Sequence, residues 1–126
     1  MTPSLKYARW ERERRFLLAG APDAAEGARV LHIEDHYVQS TRLRLRRVLQ
    51  DGHDPIYKLG QKIRLDPGDP STVAHTTLYL DRTEYDACAT FPGSRRPRRA
   101  HSASGTASRS LWTCSPASSR AWCSQK

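Results

Sequence analysis

The chain has 126 residues, 37% of them hydrophobic and 27% charged, with a formal net charge of +8. This length holds one domain, it lacks the long apolar run of a membrane-spanning helix, and Met1–Tyr7 lacks the apolar stretch of a secretory signal, so a cytoplasmic protein without a membrane partner is expected. Residues 94–126 hold seven Lys and Arg and no acid, whereas residues 1–93 hold 14 Lys and Arg against 13 Asp and Glu, so an electrostatic case for nucleic acid applies to the C-terminal part alone.

The first segment, Lys6–Leu18, ends in strand-like Phe16-Leu17-Leu18, while its charged centre also suits a helix. Gly20-Ala21-Pro22-Asp23 breaks it. Val30–Val38, Thr41–Leu49 and Ile56–Leu65 are strand candidates, rich in β-branched, leucine and tyrosine residues. Asp51-Gly52-His53-Asp54-Pro55 reads as a hairpin turn, and Asp66-Pro67-Gly68-Asp69-Pro70 as another turn. His75–Leu80 is a further strand. A short helix is expected to begin after Asp81, with Asp81 as N-cap and Glu84 at the third position, and to run to about Thr90. Residues 94–126 show neither helical nor strand periodicity and read as a disordered, Ser- and Arg-rich basic tail. Cys88, Cys114 and Cys123 match no metal-ligand spacing, and an odd number is no disulfide framework.

Residues two apart on a strand share a face. Glu11, Glu13 and Arg15 then project together; so do Arg44 and Arg46, and so do Lys58 and Lys62 with Gly60 between them. Such cations suit a phosphate chain, and such carboxylates suit Mg²⁺ or Mn²⁺. The alternative is a solvated, salt-bridged surface: Glu11 and Arg15 as an i,i+4 helical pair, and Arg44 and Arg46 facing water with Leu43 and Leu45 inside.

Trp10-Glu11-Arg12-Glu13-Arg14-Arg15-Phe16-Leu17 resembles the opening strand of the CYTH family, the triphosphate tunnel metalloenzymes, whose signature is Glu-x-Glu-x-Lys. Ile33-Glu34-Asp35-His36-Tyr37, Leu43-Arg44-Leu45-Arg46-Arg47, Tyr57-Lys58-Leu59-Gly60-Gln61-Lys62 and Thr77-Leu78-Tyr79-Leu80 followed by Glu84-Tyr85-Asp86 agree in order and spacing. The resemblance covers about residues 6–93 and implies an α+β fold: an antiparallel β-tunnel or barrel, incomplete here, with one or two short helices. It implies binding of a triphosphate-containing small molecule (inorganic triphosphate, thiamine triphosphate or ATP), with hydrolysis or ATP cyclisation as the reaction. Glu11 and Glu13 would be the carboxylates of an Mg²⁺ or Mn²⁺ site, and Arg15, Arg44, Arg46, Lys58 and Lys62 would grip phosphate oxygens.

The sequence departs from the pattern. Arg15 replaces the signature lysine, exchanging a point charge for a planar fork. Thr76 and Thr77 stand where the family has acids, and after Gly93 no segment reads as the family's later strands, including their basic pair. In the frame that starts at the last base of the Trp112 codon, Trp112-Thr113 always yields Asp and Trp122-Cys123 always yields Val. Thr113-Cys114 and Ala121-Trp122 there yield only Leu, Met or Val. An apolar strand pattern thus lies in the other frame, and residues 94–126 are read as the product of a frameshift beginning soon after Gly93. The expected chain is a truncated, weakly active or inactive triphosphate-binding relative. Its rivals are a non-catalytic polyphosphate- or nucleotide-binding module, and a nucleic-acid binder acting through Arg95–Arg99, against which the scarcity of interleaved aromatics speaks.

Overall fold

The computed structural model of the chain describes residues 4–12, 14–18, 29–105, 108–114 and 121–125, and the side-chain surroundings of 4–12, 17 and 29–101. The strands are β1 (Arg9–Arg12), β2 (Arg14–Leu18), β3 (Arg29–Val38), β4 (Leu43–Gln50), β5 (Ile56–Asp66), β6 (Asp69–Leu80), β7 (Gly93–Gly105), β8 (Ser108–Cys114) and β9 (Ala121–Gln125), with one helix, α1 (Arg82–Cys88), before β7. They form one antiparallel sheet in the order β1-β6-β5-β4-β3-β7-β8-β9-β2. No ladder joins β1 to β2 among the described residues, so the sheet is an incomplete barrel. The chain itself links its two ends, because only residue 13 separates Arg12 from Arg14.

The central hairpins follow local chemistry. Between β3 and β4, Ser40 takes the left-handed conformation (φ 58°), and the Thr41 hydroxyl donates to the Val38 carbonyl while accepting from the Leu43 amide. Gly52, at φ 74°, turns the chain between β4 and β5. Asp81 accepts from the Glu84 amide at 2.8 Å and the Glu84 carboxylate accepts from the Asp81 amide at 2.9 Å, the expected reciprocal cap. A seven-residue helix has little stability alone. Tyr85 anchors it on Tyr57 of β5, with ring centroids 4.7 Å apart.

The buried apolar residues are few: Ile33, Val38, Leu45, Val73, Ala74 and Ala100. Leu45 and Asp35 are the largest fully buried side chains among the described residues. Leu45 packs on one face of the sheet and Asp35 lies on the other, as the pairing of Leu45 with His36 and of Asp35 with Arg46 requires.

Three expectations need correction. Residues 9–12 and 14–18 are strands, so the helical alternative for the charged first segment falls. The turn at 66–70 is tighter than read: Asp66 pairs with Asp69 across Pro67-Gly68, and β6 begins at Asp69, tolerating Pro70 at its start. The disordered tail is not observed over 93–105, 108–114 and 121–125, which form β7, β8 and β9. The reason is long-range pairing: β7 matches β3 over ten residue pairs, from Val38–Gly93 to Arg29–Ser102. Pro97 is accommodated because β8 covers β7 only from Arg99 onward, leaving the proline at an open edge.

Gly93 starts β7 against the Tyr37 backbone, and any Cβ there would overlap the Tyr37 carbonyl oxygen. Gly93→Ala is therefore expected to cost about 1–3 kcal/mol, read as a lower urea midpoint; an unchanged midpoint would contradict this packing.

Candidate anion-binding site

Directly paired residues on neighbouring strands project from the same face. One row across the sheet is therefore Asp35, Arg46, Lys58 and Tyr79, from β3 to β6. The next row is Tyr37, Arg44, Gly60 and Thr77. Lys62 and His75 follow, with Arg9 of β1, and Glu11 lies one step on, opposite Val73. Gly60 makes room for the His75 ring, since a Cβ there would meet His75 Nε2 at 3.1 Å.

Asp35 is the centre. It is 2% exposed. Arg46 grips both its oxygens, Nε to Oδ1 at 2.6 Å and Nη2 to Oδ2 at 3.0 Å. Arg98 of β7 reaches Oδ2 at 2.8 Å, and Arg44 Nε lies 3.7 Å from Oδ1. Burial raises the Asp35 carboxyl pKa, but the Arg46 hydrogen bond and the charges of Arg46, Arg98 and Arg44 outweigh it and hold it below the ordinary value. One negative charge thus faces three positive ones. The crowding registers on the arginines: burial, and then the charge of Arg46, lowers the pKa of both Arg44 and Arg98. Arg44 Nε and Arg98 Nε are also buried without a hydrogen-bond partner, an expensive state for a donor.

A second cluster surrounds Glu11. His75 Nδ1 lies 3.0 Å from Oε1 and Lys62 Nζ 3.3 Å from Oε2. The other His75 nitrogen sits 3.3 Å from the Thr77 hydroxyl. Burial lowers the His75 pKa, and the Lys62 and Arg44 charges add to this against the opposing pull of Glu11. Lys58 places its ammonium 5.1 Å from the centre of the Tyr79 ring.

The sequence candidates are thus partly gathered. Arg44, Arg46, Lys58, Lys62 and Glu11 share the face. Arg15 lies on β2, where its backbone pairs with Ser124, and Glu13 lies outside the described residues. Arg44 and Arg46 do not simply face water, because their side chains are 20% and 17% exposed. Glu11 lies on a strand, not a helix, and engages Lys62 and His75.

Sequence reasoning gave no role to Asp35 or His75, and gave Arg98 one only within the Arg95–Arg99 run of the nucleic-acid reading. Period-two spacing from Ile33 could have flagged Asp35. Arg98 lay in a run read as tail, which the structure makes part of β7 together with Arg96. Arg98 opposes Ile33 and Arg96 opposes Asp35.

A metal finds few donors here. No three His, Cys, Asp or Glu side chains gather as a metal set among the described residues. The three guanidiniums around Asp35 oppose a cation there. Of the expected carboxylate pair, Glu11 is described and Glu13 lies outside the described residues.

No protein-family model matches the sequence, and no curated protein matches it. Among solved structures, the crystal structure of the hypothetical protein NE1496 is similar over 91% of this chain and 74% of that one, at 19% identity and a TM-score of 0.46. At that distance the likeness assigns no function. No helix among the described residues is long and apolar enough to cross a membrane.

Asp35→Asn is expected to lose about 3–5 kcal/mol at neutral pH, because it leaves buried guanidiniums uncompensated. Folding depresses the Asp35 pKa, so its ionised form stabilises the fold above the ordinary value of 3.8, and that contribution disappears as pH falls through the lowered folded value. The gap between wild type and variant should therefore narrow in acid; thermal unfolding across pH that shows a constant gap would contradict the assignment.

Proposed function

We propose that the chain binds a triphosphate-containing small molecule on the face around Asp35, as a CYTH-like relative of the triphosphate tunnel metalloenzymes. The carrying observation is cation excess on that face. Arg44, Arg46, Arg98, Lys58 and Lys62 stand against Asp35 and Glu11. Two of the buried guanidinium nitrogens lack hydrogen-bond partners. A phosphate chain supplies charge and acceptor oxygens together, and guanidinium forks match those oxygens.

In the family pattern Glu11 and Glu13 hold an Mg²⁺ or Mn²⁺ ion, which would neutralise phosphate charge. Glu11 stands on the face with Lys62 and His75 against it, and Glu13 lies outside the described residues. Binding without robust hydrolysis is expected. The second reading, a non-catalytic polyphosphate- or nucleotide-binding module, is favoured by one observation: both described carboxylates of the face are engaged by cationic or imidazole groups, Asp35 by arginines and Glu11 by Lys62 and His75. Neither is then a ready base for water.

Calorimetric titration of the purified chain with inorganic triphosphate tests binding. Saturable binding that weakens with salt is expected, and Arg44→Ala should weaken it about tenfold or more. A wild-type chain that does not bind would overturn the proposal. Phosphate release measured alongside separates the two readings, because a non-catalytic module forms no product.

The frameshift reading of 94–126 bears on the same face, since β8 and β9 carry the sheet from β7 round to β2. Resequencing the gene across the codons for Ala89 to Lys126 decides it. A base inserted or lost in the record supports the reading, and a confirmed sequence removes it.

A further inference from the structure

We infer that the other face of the sheet carries a separate ligand site, a cavity between α1 and strands β3 and β7 that takes a small aromatic carboxylate. The cavity measures about 270 Å³, and its lining includes Glu34, His36, Tyr85, Ala89, Arg95 and Pro97. That volume is at the small end of pockets that hold organic ligands. Glu34 and His36 alternate with Asp35 along β3, so their side chains project from the opposite face. Pro97 and Arg95 stand directly across the β3–β7 ladder from them and share that face. The site is therefore independent of the proposed triphosphate binding around Asp35.

The space arises from how α1 is seated. Its Tyr85 packs on Tyr57 of β5, and the helix rests on β5 and β6. The flank toward β3 and β7 is left with the short side chain of Ala89. The wall formed by His36 is held in place: the ring is buried, and its Nε2 donates to the Phe91 carbonyl at 2.8 Å. Charge then selects the ligand. Glu34 accepts from Arg47 Nη2 at 2.7 Å, so its carboxylate is already matched. Arg95 has no carboxylate partner among the described residues, and its Nη2 makes a long bond of 3.4 Å to the Ala89 carbonyl. A positive charge is thus left over, and a guanidinium fork fits a carboxylate with two parallel hydrogen bonds. The Tyr85 ring, the Ala89 methyl and the Pro97 ring supply apolar surface beside it, which suits a flat apolar body. An inorganic anion would meet Arg95 and leave those walls unused.

The test is titration of the full chain with benzoate, benzamide and acetate, followed through the backbone amide signals by NMR. Benzoate is expected to bind saturably and to shift the amides of Glu34, His36, Ala89 and Arg95. Benzamide lacks the charge and acetate lacks the ring, so each should bind about tenfold more weakly. Arg95→Ala should weaken benzoate about tenfold, with the urea midpoint of the chain unchanged because Arg95 is exposed. Equal affinity for benzoate and benzamide in the wild-type chain would overturn the inference. So would benzoate binding that Arg95→Ala does not weaken, amide shifts confined to Lys58, Gly60 and Thr77 on the Asp35 face, or no saturable binding of benzoate at all. A chain that binds benzoate at this cavity and no triphosphate supports this inference while removing the earlier reading.

Discussion

The carboxylate of Asp35 is buried, and burial of a charge is tolerated only when it is paired and hydrogen-bonded. Arg46 supplies the pairing from β4, Arg98 from β7 and Arg44 from β4 again. β3 lies between those two strands, so the ion cluster ties three neighbours together across one face. The opposite face is held by apolar contacts centred on Leu45 and by α1 docking through Tyr85. Each face depends on the other, because the alternation that buries Leu45 is what points Arg44 and Arg46 at Asp35.

The same cluster explains why the face suits an anion. Buried ion pairs contribute little net stability when the number of charges does not match. Here one carboxylate faces three guanidiniums, and burial first, then the neighbouring Arg46 charge, lowers the pKa of Arg44 and Arg98. A ligand carrying several negative charges relieves that excess. Lys58 and Lys62 extend the cationic surface along β5, and Gly60 between them makes room for the His75 ring.

β7 gives the clearest contrast between local and long-range information. Ser94-Arg95-Arg96-Pro97-Arg98-Arg99 has the composition of a solvated basic tail. In the fold it is a strand, because β3 offers a ten-residue partner and Asp35 offers a counter-charge to Arg98. Neither is visible within the segment. The first strand is the converse case. Glu11 was singled out by its spacing, yet its partners, Lys62 and His75, come from strands more than fifty residues away. His75 has no spacing signal because its role depends on β6 lying beside β1.

The sequence by itself determined what is local. Turn residues at Gly52, the cap at Asp81 and Glu84, and period-two alternation in β3, β4 and β5 define elements and faces, because each depends on backbone preferences within a few residues. It also placed Arg44, Arg46, Lys58 and Lys62 on one face, since a strand's alternation does not depend on its neighbours. Tertiary structure decided the rest: the strand order, the recruitment of 93–105 into the sheet, and the meeting of Asp35 with three arginines. Those outcomes are set by pairing energies and charge neutralisation between segments distant in the chain, which no local pattern encodes.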